Sequence, residues 1–460
     1  MSYDFNKNWT TDNNGYPLNS DEVNRLISVK PTPSQCRLSQ KPFYLFMHFG
    51  MNTATRREWG SGKEKASDFN IKTVKPETWI ECAKAAGATG IILTCKHHDG
   101  FCLWDTKYTD FCVRNSGFYG DIVKMVSDAC HDAGLDFGVY LSPWDMHEPT
   151  YATEAYNDYF CNQLTELLTN YGEIFEVWFD GAKGKEAKAF NYDWDRYYAL
   201  IRELQPNANI SICGPDIRWV GNEGGKTRKS EFSVVPFELT RAETVEKNSQ
   251  HADEDASKMQ NITSMDEDLG SRDLLAKRDK LWWYPAEVDV SIRKGWFWAE
   301  KGNKTVKSPK KLFDIYLNSV GNNCTLLLNI PPTAYGDIDK KDMKAVKGLG
   351  DKIREMYSKP VVVKNLGELT DKDGVLDFDF GAKKRINYIE LCEDISFSQR
   401  VEAFDLYLKK KNGEYKLVFS GTIIGSKKIV TLKNEKCTGA RLVIRQSRSN
   451  PVISKIGFYE

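Results

Sequence analysis

Asp180 ends the apolar run Val177-Trp178-Phe179 and is followed by Gly181. A carboxylate at the end of a buried strand costs free energy unless it is hydrogen-bonded or put to chemical use. The competing reading is a solvated Asp that opens a turn. Three other groups close runs of the same kind: His48 in His48-Phe49-Gly50, then His97-His98-Asp99, then Trp144-Asp145. The chain holds only 6 His, and His48, His97 and His98 all stand at these ends. A lone His is ordinarily structural, but gathered in one mouth such a set can move protons and grip hydroxyl groups.

The elements that would position them alternate in type. Phe43 to Phe49, Gly90 to Cys95, Phe137 to Leu141, Ile174 to Phe179 and Asn209 to Cys213 read as strands. Pro76 to Ala86, Asp121 to Ala133, Glu154 to Asn170 and Trp194 to Leu204 read as helices, with Gly87 and Gly134 as stops. Strands that alternate with helices imply parallel pairing through crossovers. A doubly wound sheet fits that pattern as well. A (β/α)8-like barrel is preferred because chemically capable residues follow several different strands, and barrel sites are assembled from several strand ends.

Residues 216–280 are charged and weakly periodic, as expected of an elaborated loop over the site. Later strands are expected at Leu281 to Val290, Gly295 to Trp298 and Thr325 to Ile330, with helices at Lys310 to Val320 and Lys340 to Tyr357. Beyond Val361 the apolar runs shorten and turn residues separate them, the texture of an all-β sandwich. The expected division is a catalytic α/β barrel over 1–345 and a C-terminal all-β sandwich over 346–460.

Lys+Arg and Asp+Glu are both 64, so the net charge is zero, which argues against broad electrostatic binding to nucleic acid or anionic membrane. No apolar run reaches the length of a membrane span. Met1 to Thr10 is polar and lacks a signal-peptide core, so the protein is expected either inside the cell or exported with its signal absent from this chain. The 11 Cys are scattered without a Cys-x-x-Cys pair and read as small buried hydrophobes.

Two chemistries fit the strand-end set. In one, His and Asp ligate a hydrolytic metal. The usual His-x-His and His-x-x-x-His spacings are missing, and His97 and His98 would point to opposite faces unless the backbone kinks. In the other, Asp180 is a nucleophile, the histidines hold sugar hydroxyls and Trp stacks on the sugar's apolar face. Glycoside hydrolysis needs a second carboxyl to protonate the leaving oxygen. Glu223 is the best candidate, in the glycine-bearing stretch after the fifth strand with Trp219 nearby to desolvate it. A surface-loop Glu is the competing reading. Glu58, beside Trp59, and Glu287, a candidate partner for Arg293, are the other carboxyls.

His48-Phe49-Gly50, Glu58-Trp59, Lys96-His97-His98-Asp99-Gly100-Phe101, Trp104, Tyr140-Leu141-Ser142-Pro143-Trp144 and Val177-Trp178-Phe179-Asp180-Gly181 together resemble the α-L-fucosidases of glycoside hydrolase family 29. The ordered set spans about residues 40–300, and the later β-like region is similar to that family's C-terminal β-sandwich. The resemblance implies a retaining mechanism without metal or other cofactor, with Asp180 in the nucleophile motif. It implies that His48, His97, His98, Glu58, Tyr140 and Trp178 bind fucose or shape its pocket, with Trp59 beside them. Trp219-Val220-Gly221-Asn222-Glu223 resembles the subgroup that prefers α-1,3 and α-1,4 linkages on branched, Lewis-type glycans, in which the Glu of this motif is the acid/base. Arg293 and Trp296 resemble a further segment of that subgroup. The implied partner is a fucosylated oligosaccharide or glycoconjugate. The alternatives are a broad-specificity fucosidase active on aryl fucosides, and a non-catalytic fucose-binding protein.

Overall fold

The computed structural model describes residues 19–187, 190–240, 262–367 and 374–460. The polar stretch at Met1 to Thr10 and the middle of the 216–280 segment lie outside the described residues.

Strands β1 (Phe43–Met47), β2 (Gly90–Lys96), β3 (Asp136–Leu141), β4 (Glu176–Phe179), β5 (Asn209–Ile212) and β6 (Arg218–Trp219) come first. β7 (Val234–Pro236) and β8 (Leu281–Trp283) form a separate antiparallel pair. β9 (Ala286–Ser291) and β10 (Cys324–Asn329) complete a barrel in the order β5-β4-β3-β2-β1-β10-β9-β6. Every pairing in it is parallel. β5 and β6 meet only at the bridge Ser211–Ile217, so the ring is nearly closed and the doubly wound alternative falls.

β1 and β2 are buried along their whole length, as strands covered on both faces must be. The helices between them start and stop where local chemistry directs. Pro76 opens Pro76–Ala86, and Gly87, at φ 79°, ends it in the left-handed conformation. Asp121 accepts from the Lys124 N–H to cap Ile122–Asp132.

Three expectations need correction. Gly295 to Trp298 is a bent segment, not a strand. Leu281 to Val290 is two strands of different sheets, because the chain turns at Tyr284 and Pro285. Of residues 216–280, only the stretch around Trp219 and Glu223 reaches the strand-end mouth, and the later described part packs elsewhere. Phe232, Val235, Leu239, Ile262 and Leu269 pack with Tyr284 and Ile423 in a cluster shared with the C-terminal domain.

Helix Lys340–Tyr357 carries barrel core residues from Ala345 to Met356. The expected division at 345/346 therefore falls inside this helix, and the antiparallel sheet begins at Pro360. Its strands are β11 (Pro360–Asn365), β12 (Val375–Glu393), β13 (Val401–Lys409), β14 (Tyr415–Gly421), β15 (Lys428–Ser447) and β16 (Ile453–Tyr459). They hydrogen-bond in the order β11-β16-β12-β15-β13-β14, one continuous sheet. Phe458 pairs in register with Ile389, yet its ring lies 5.2 Å from Phe378, eleven residues away along β12. An extended strand would span roughly 36 Å over that distance. The β12–β15 ribbon therefore folds back on itself, through a register break between Asp379 and Lys384, and the two halves face each other as a sandwich. Arg272 and Arg448 both pair with Glu402, and Ser230 bonds Thr422 at 2.6 Å, tying this domain to the excursion between β6 and β9.

Candidate active site

A pocket of about 800 Å³, counting its open mouth, lies at the carboxyl ends of the barrel strands. Of the residues that the motifs mark, His48, Glu58, Trp59, His97, His98, Trp178, Asp180, Trp219, Glu223 and Trp296 line it. Phe46, Ile212, Asp289 and Phe297 line it as well, beyond the set that the motifs mark.

Asp180 follows β4 directly. One carboxylate oxygen accepts from the Ala182 N–H at 2.8 Å and the other from the Tyr140 hydroxyl at 3.0 Å. Tyr140 is fully buried behind Asp180 and stacks on Trp178 with ring centroids 5.3 Å apart. The Trp178 N–H is held at 2.8 Å by Glu287, which also accepts from the Tyr44 hydroxyl. Glu287 and Glu176 are buried neighbours under the pocket floor. Burial, the larger cause, and the charge of Glu287 hold the Glu176 carboxyl well above the usual range. A pair of this kind cannot carry two charges and shares a proton.

The adjacent histidines reach one pocket because the β2–β3 register shifts between Thr94 and Lys96 and the chain turns at once, with the Gly100 N–H donating to His97 O at 3.0 Å. The turn is anchored by the buried ion pair Lys96–Asp145 at 2.8 Å. Ser142 donates its only hydroxyl proton to Trp144 O at 2.6 Å, so it accepts from His98 Nδ1–H at 2.7 Å. Burial lowers the His98 pKa, opposed by the Asp180 charge, and keeps the ring neutral. His98 Nε2 is then a bare acceptor 3.7 Å from an oxygen of Asp180. Two acceptors at that separation leave a place for a hydroxyl group that donates to one of them. His48 is arranged alike. Asn329 donates to Trp296 O at 2.9 Å, which directs its carbonyl oxygen to His48 Nδ1 at 3.0 Å. Burial pushes the His48 pKa down to about 3.

Trp296 joins the pocket walls. Its backbone N–H donates to Glu58, and its indole N–H donates to Glu223 at 3.3 Å. Gly295 makes the approach of Glu58 possible: it sits at φ 87°, and a Cβ there would lie 2.7 Å from a Glu58 oxygen. Glu223 stands four residues beyond β6 at the exposed rim, with its carboxyl toward the pocket. Desolvation by the wall, then the charge of Asp180, raise its pKa. A carboxyl that holds its proton more tightly beside one that accepts two hydrogen bonds suits an acid–nucleophile arrangement. Gly221, at φ 103°, lets this loop pass against Ser264 O, 2.3 Å from where a Cβ would be.

Arg293 does not line the pocket. It is 1 % exposed, paired with Asp342 and donating to Asn303 at 2.9 Å, so it fixes the segment after β9 to helix Lys340–Tyr357. Glu287 is not its partner. Among the described residues no cluster of three or more His, Cys, Asp or Glu has the arrangement of a metal site, and no helix is long and apolar enough to cross a membrane.

A family model described as alpha-L-fucosidase matches residues 48–355. The chain is 37 % identical to "Alpha-L-fucosidase 1" of Arabidopsis thaliana over 469 residues, covering 94 % of this chain and 88 % of the plant protein. Its fold matches the crystal structure of a glycoside hydrolase 29 family member from an unknown rumen bacterium with a TM-score of 0.79 at 35 % identity, over 94 % of this chain and 77 % of that one. It also matches a Ruminococcus gnavus GH29 fucosidase in complex with fucose, with a TM-score of 0.79 at 29 % identity, over 99 % of this chain and 98 % of the other.

Proposed function

The chain belongs to the α-L-fucosidases of glycoside hydrolase family 29, and within that activity we propose that it is a retaining exo-enzyme acting on α-1,3- and α-1,4-linked fucose of branched, Lewis-type glycans. Asp180 attacks the anomeric carbon while the bond to the leaving oxygen breaks, and Glu223 gives that oxygen its proton. Glu223 then takes a proton from water, whose oxygen displaces Asp180 and releases fucose with its configuration retained. One observation carries this reading: Asp180, fixed by the Tyr140 hydroxyl and the Ala182 N–H, and Glu223, held by the Trp296 indole, line the same pocket. Retention calls for two carboxyls about 5–5.5 Å apart in one site.

Tyr140 holds the nucleophile, His48, His97, His98 and Glu58 bind sugar hydroxyls, and Trp59, Trp178, Trp219 and Trp296 form the apolar walls. The linkage preference is supported by the resemblance of Trp219 to Glu223 to the α-1,3/1,4 subgroup. The test is hydrolysis of a Lewis-type trisaccharide followed by proton NMR. Fucose should first appear as the α anomer and faster than from an aryl fucoside. First appearance of the β anomer would overturn retention, faster aryl hydrolysis would favour the broad-specificity reading, and binding without turnover would leave a fucose-binding protein.

A further inference from the structure

Strand β9 turns Glu287 and Asp289, two residues apart, to the same inner face of the barrel. Each accepts the indole N–H of a pocket tryptophan: Glu287 from Trp178 at 2.8 Å and Asp289 from Trp219 at 2.9 Å. The two acids differ in what remains free. Glu287 is sealed under the floor, and both its oxygens are bonded by protein groups. Asp289 lines the pocket itself, is 3 % exposed, and has no second side-chain hydrogen bond to its carboxyl among the described residues. Trp219 occupies one oxygen, and the carboxyl borders the cavity, which leaves the other oxygen to serve a ligand there. An unpaired polar atom in so dry a place is costly unless a ligand supplies the missing partner.

The pocket chemistry says what that partner is. Asp180, Glu58 and the bare ring nitrogens of His48 and His98 are all acceptors facing the same space. Burial, then the charges of Glu223 and Glu287, hold the Asp289 carboxyl well above the usual range. Asp289 is thus suited to donate to an oxygen where its neighbours accept.

We propose that Asp289 is a further substrate-binding residue of this site: Trp219 fixes one of its oxygens, and the other hydrogen-bonds one hydroxyl of the fucose held between Asp180 and Glu223. The assignment rests on the fucosidase reading. It also ties Trp219, in the stretch proposed to set linkage preference, to the same carboxyl.

The test is calorimetric binding of L-fucose and its monodeoxy analogues to the unaltered protein and to Asp289→Leu, which resembles Asp in shape but lacks its hydrogen bonds. In the unaltered protein, one analogue should bind roughly ten- to a hundredfold more weakly than L-fucose for want of this bond. For that analogue alone, Asp289→Leu should cost almost nothing further, whereas L-fucose itself should lose about the same factor. Asp289→Asn, which keeps an acceptor for Trp219 and a donor for the hydroxyl, should recover part of the loss. Equal weakening of every sugar by Asp289→Leu would mean that Asp289 only holds Trp219, and would overturn the proposal. Asp289→Ala, which merely opens space, is read the same way if the Leu variant does not fold. Failure of the unaltered protein to bind L-fucose would overturn the fucosidase reading and this inference with it, an outcome distinct from uniform weakening.

Discussion

The two carboxyls of the proposed chemistry are built in opposite ways. Asp180 ends a buried strand, and everything that holds it lies close by: the Ala182 N–H two residues on and the Tyr140 hydroxyl of the neighbouring strand. Glu223 lies beyond a two-residue strand, and its loop is held by distant parts of the chain. Arg228 donates to Val220 O at 2.9 Å and to Ser264 O, and pairs with buried Glu231, which also pairs with Arg218. Asn323 donates to Glu231 O at 2.8 Å and accepts from the Ser426 N–H of the C-terminal domain. The difference suits the roles. A nucleophile must meet one carbon in one geometry, whereas an acid/base must serve leaving groups of several shapes. The C-terminal sandwich thereby braces the loop that carries the proposed acid.

Replacing each residue tests this contrast, and the largest effect is expected at the strand-borne carboxylate. Asp180→Ala should lower kcat at least about 10⁴-fold on every fucoside, because no step avoids the nucleophile. Added azide should restore turnover and yield the β-fucosyl azide. An α product would reverse the assignment. Glu223→Ala should cost about 10²- to 10⁴-fold on natural glycans and far less on aryl fucosides whose leaving groups need no proton. Azide rescue should here give the α-fucosyl azide, and equal losses on both substrate types would remove Glu223 from the acid role.

Smaller changes sharpen the comparison. Tyr140→Phe removes one of the two bonds to Asp180 and should lower kcat/KM about ten- to a hundredfold, with the fold intact by circular dichroism. Glu58→Gln keeps an acceptor for the Trp296 N–H but removes a negative charge that helps raise Glu223. Without that charge Glu223 loses its proton more readily, so the alkaline limb of the kcat/KM profile should move to lower pH. A shift to higher pH, or none, would separate Glu58 from the proton balance of Glu223.

Several residues show why one carboxyl is easier to find than the other. Asp180 closes an apolar run of strand length, and period and position mark it. β6 is only Arg218–Trp219, with no helix between it and β5, so nothing periodic announces that Trp219 sits in the barrel wall. Asp289 has a usable signal, since it alternates with Glu287 on one strand face, but the apolar pattern from Leu281 onward reads as a single long strand and hides it. Arg293 and Trp296 are three residues apart, yet one is locked under the pocket by Asp342 and the other lines it. Sequence proximity cannot separate these fates, because Asp342 arrives from a helix beyond the last barrel strand.

By itself the sequence determined the alternation of strands and helices, the strand ends that carry chemistry and the family those motifs resemble. Local periodicity, turn residues and ordered motifs record these directly. Only the tertiary structure decided which acceptors lack donors, that His97 and His98 share one pocket, that Asp289 opens into it, and that the Glu223 loop leans on the C-terminal sandwich. Those outcomes depend on where distant segments meet, and hydrogen-bond satisfaction and desolvation are properties of that meeting, not of either segment alone.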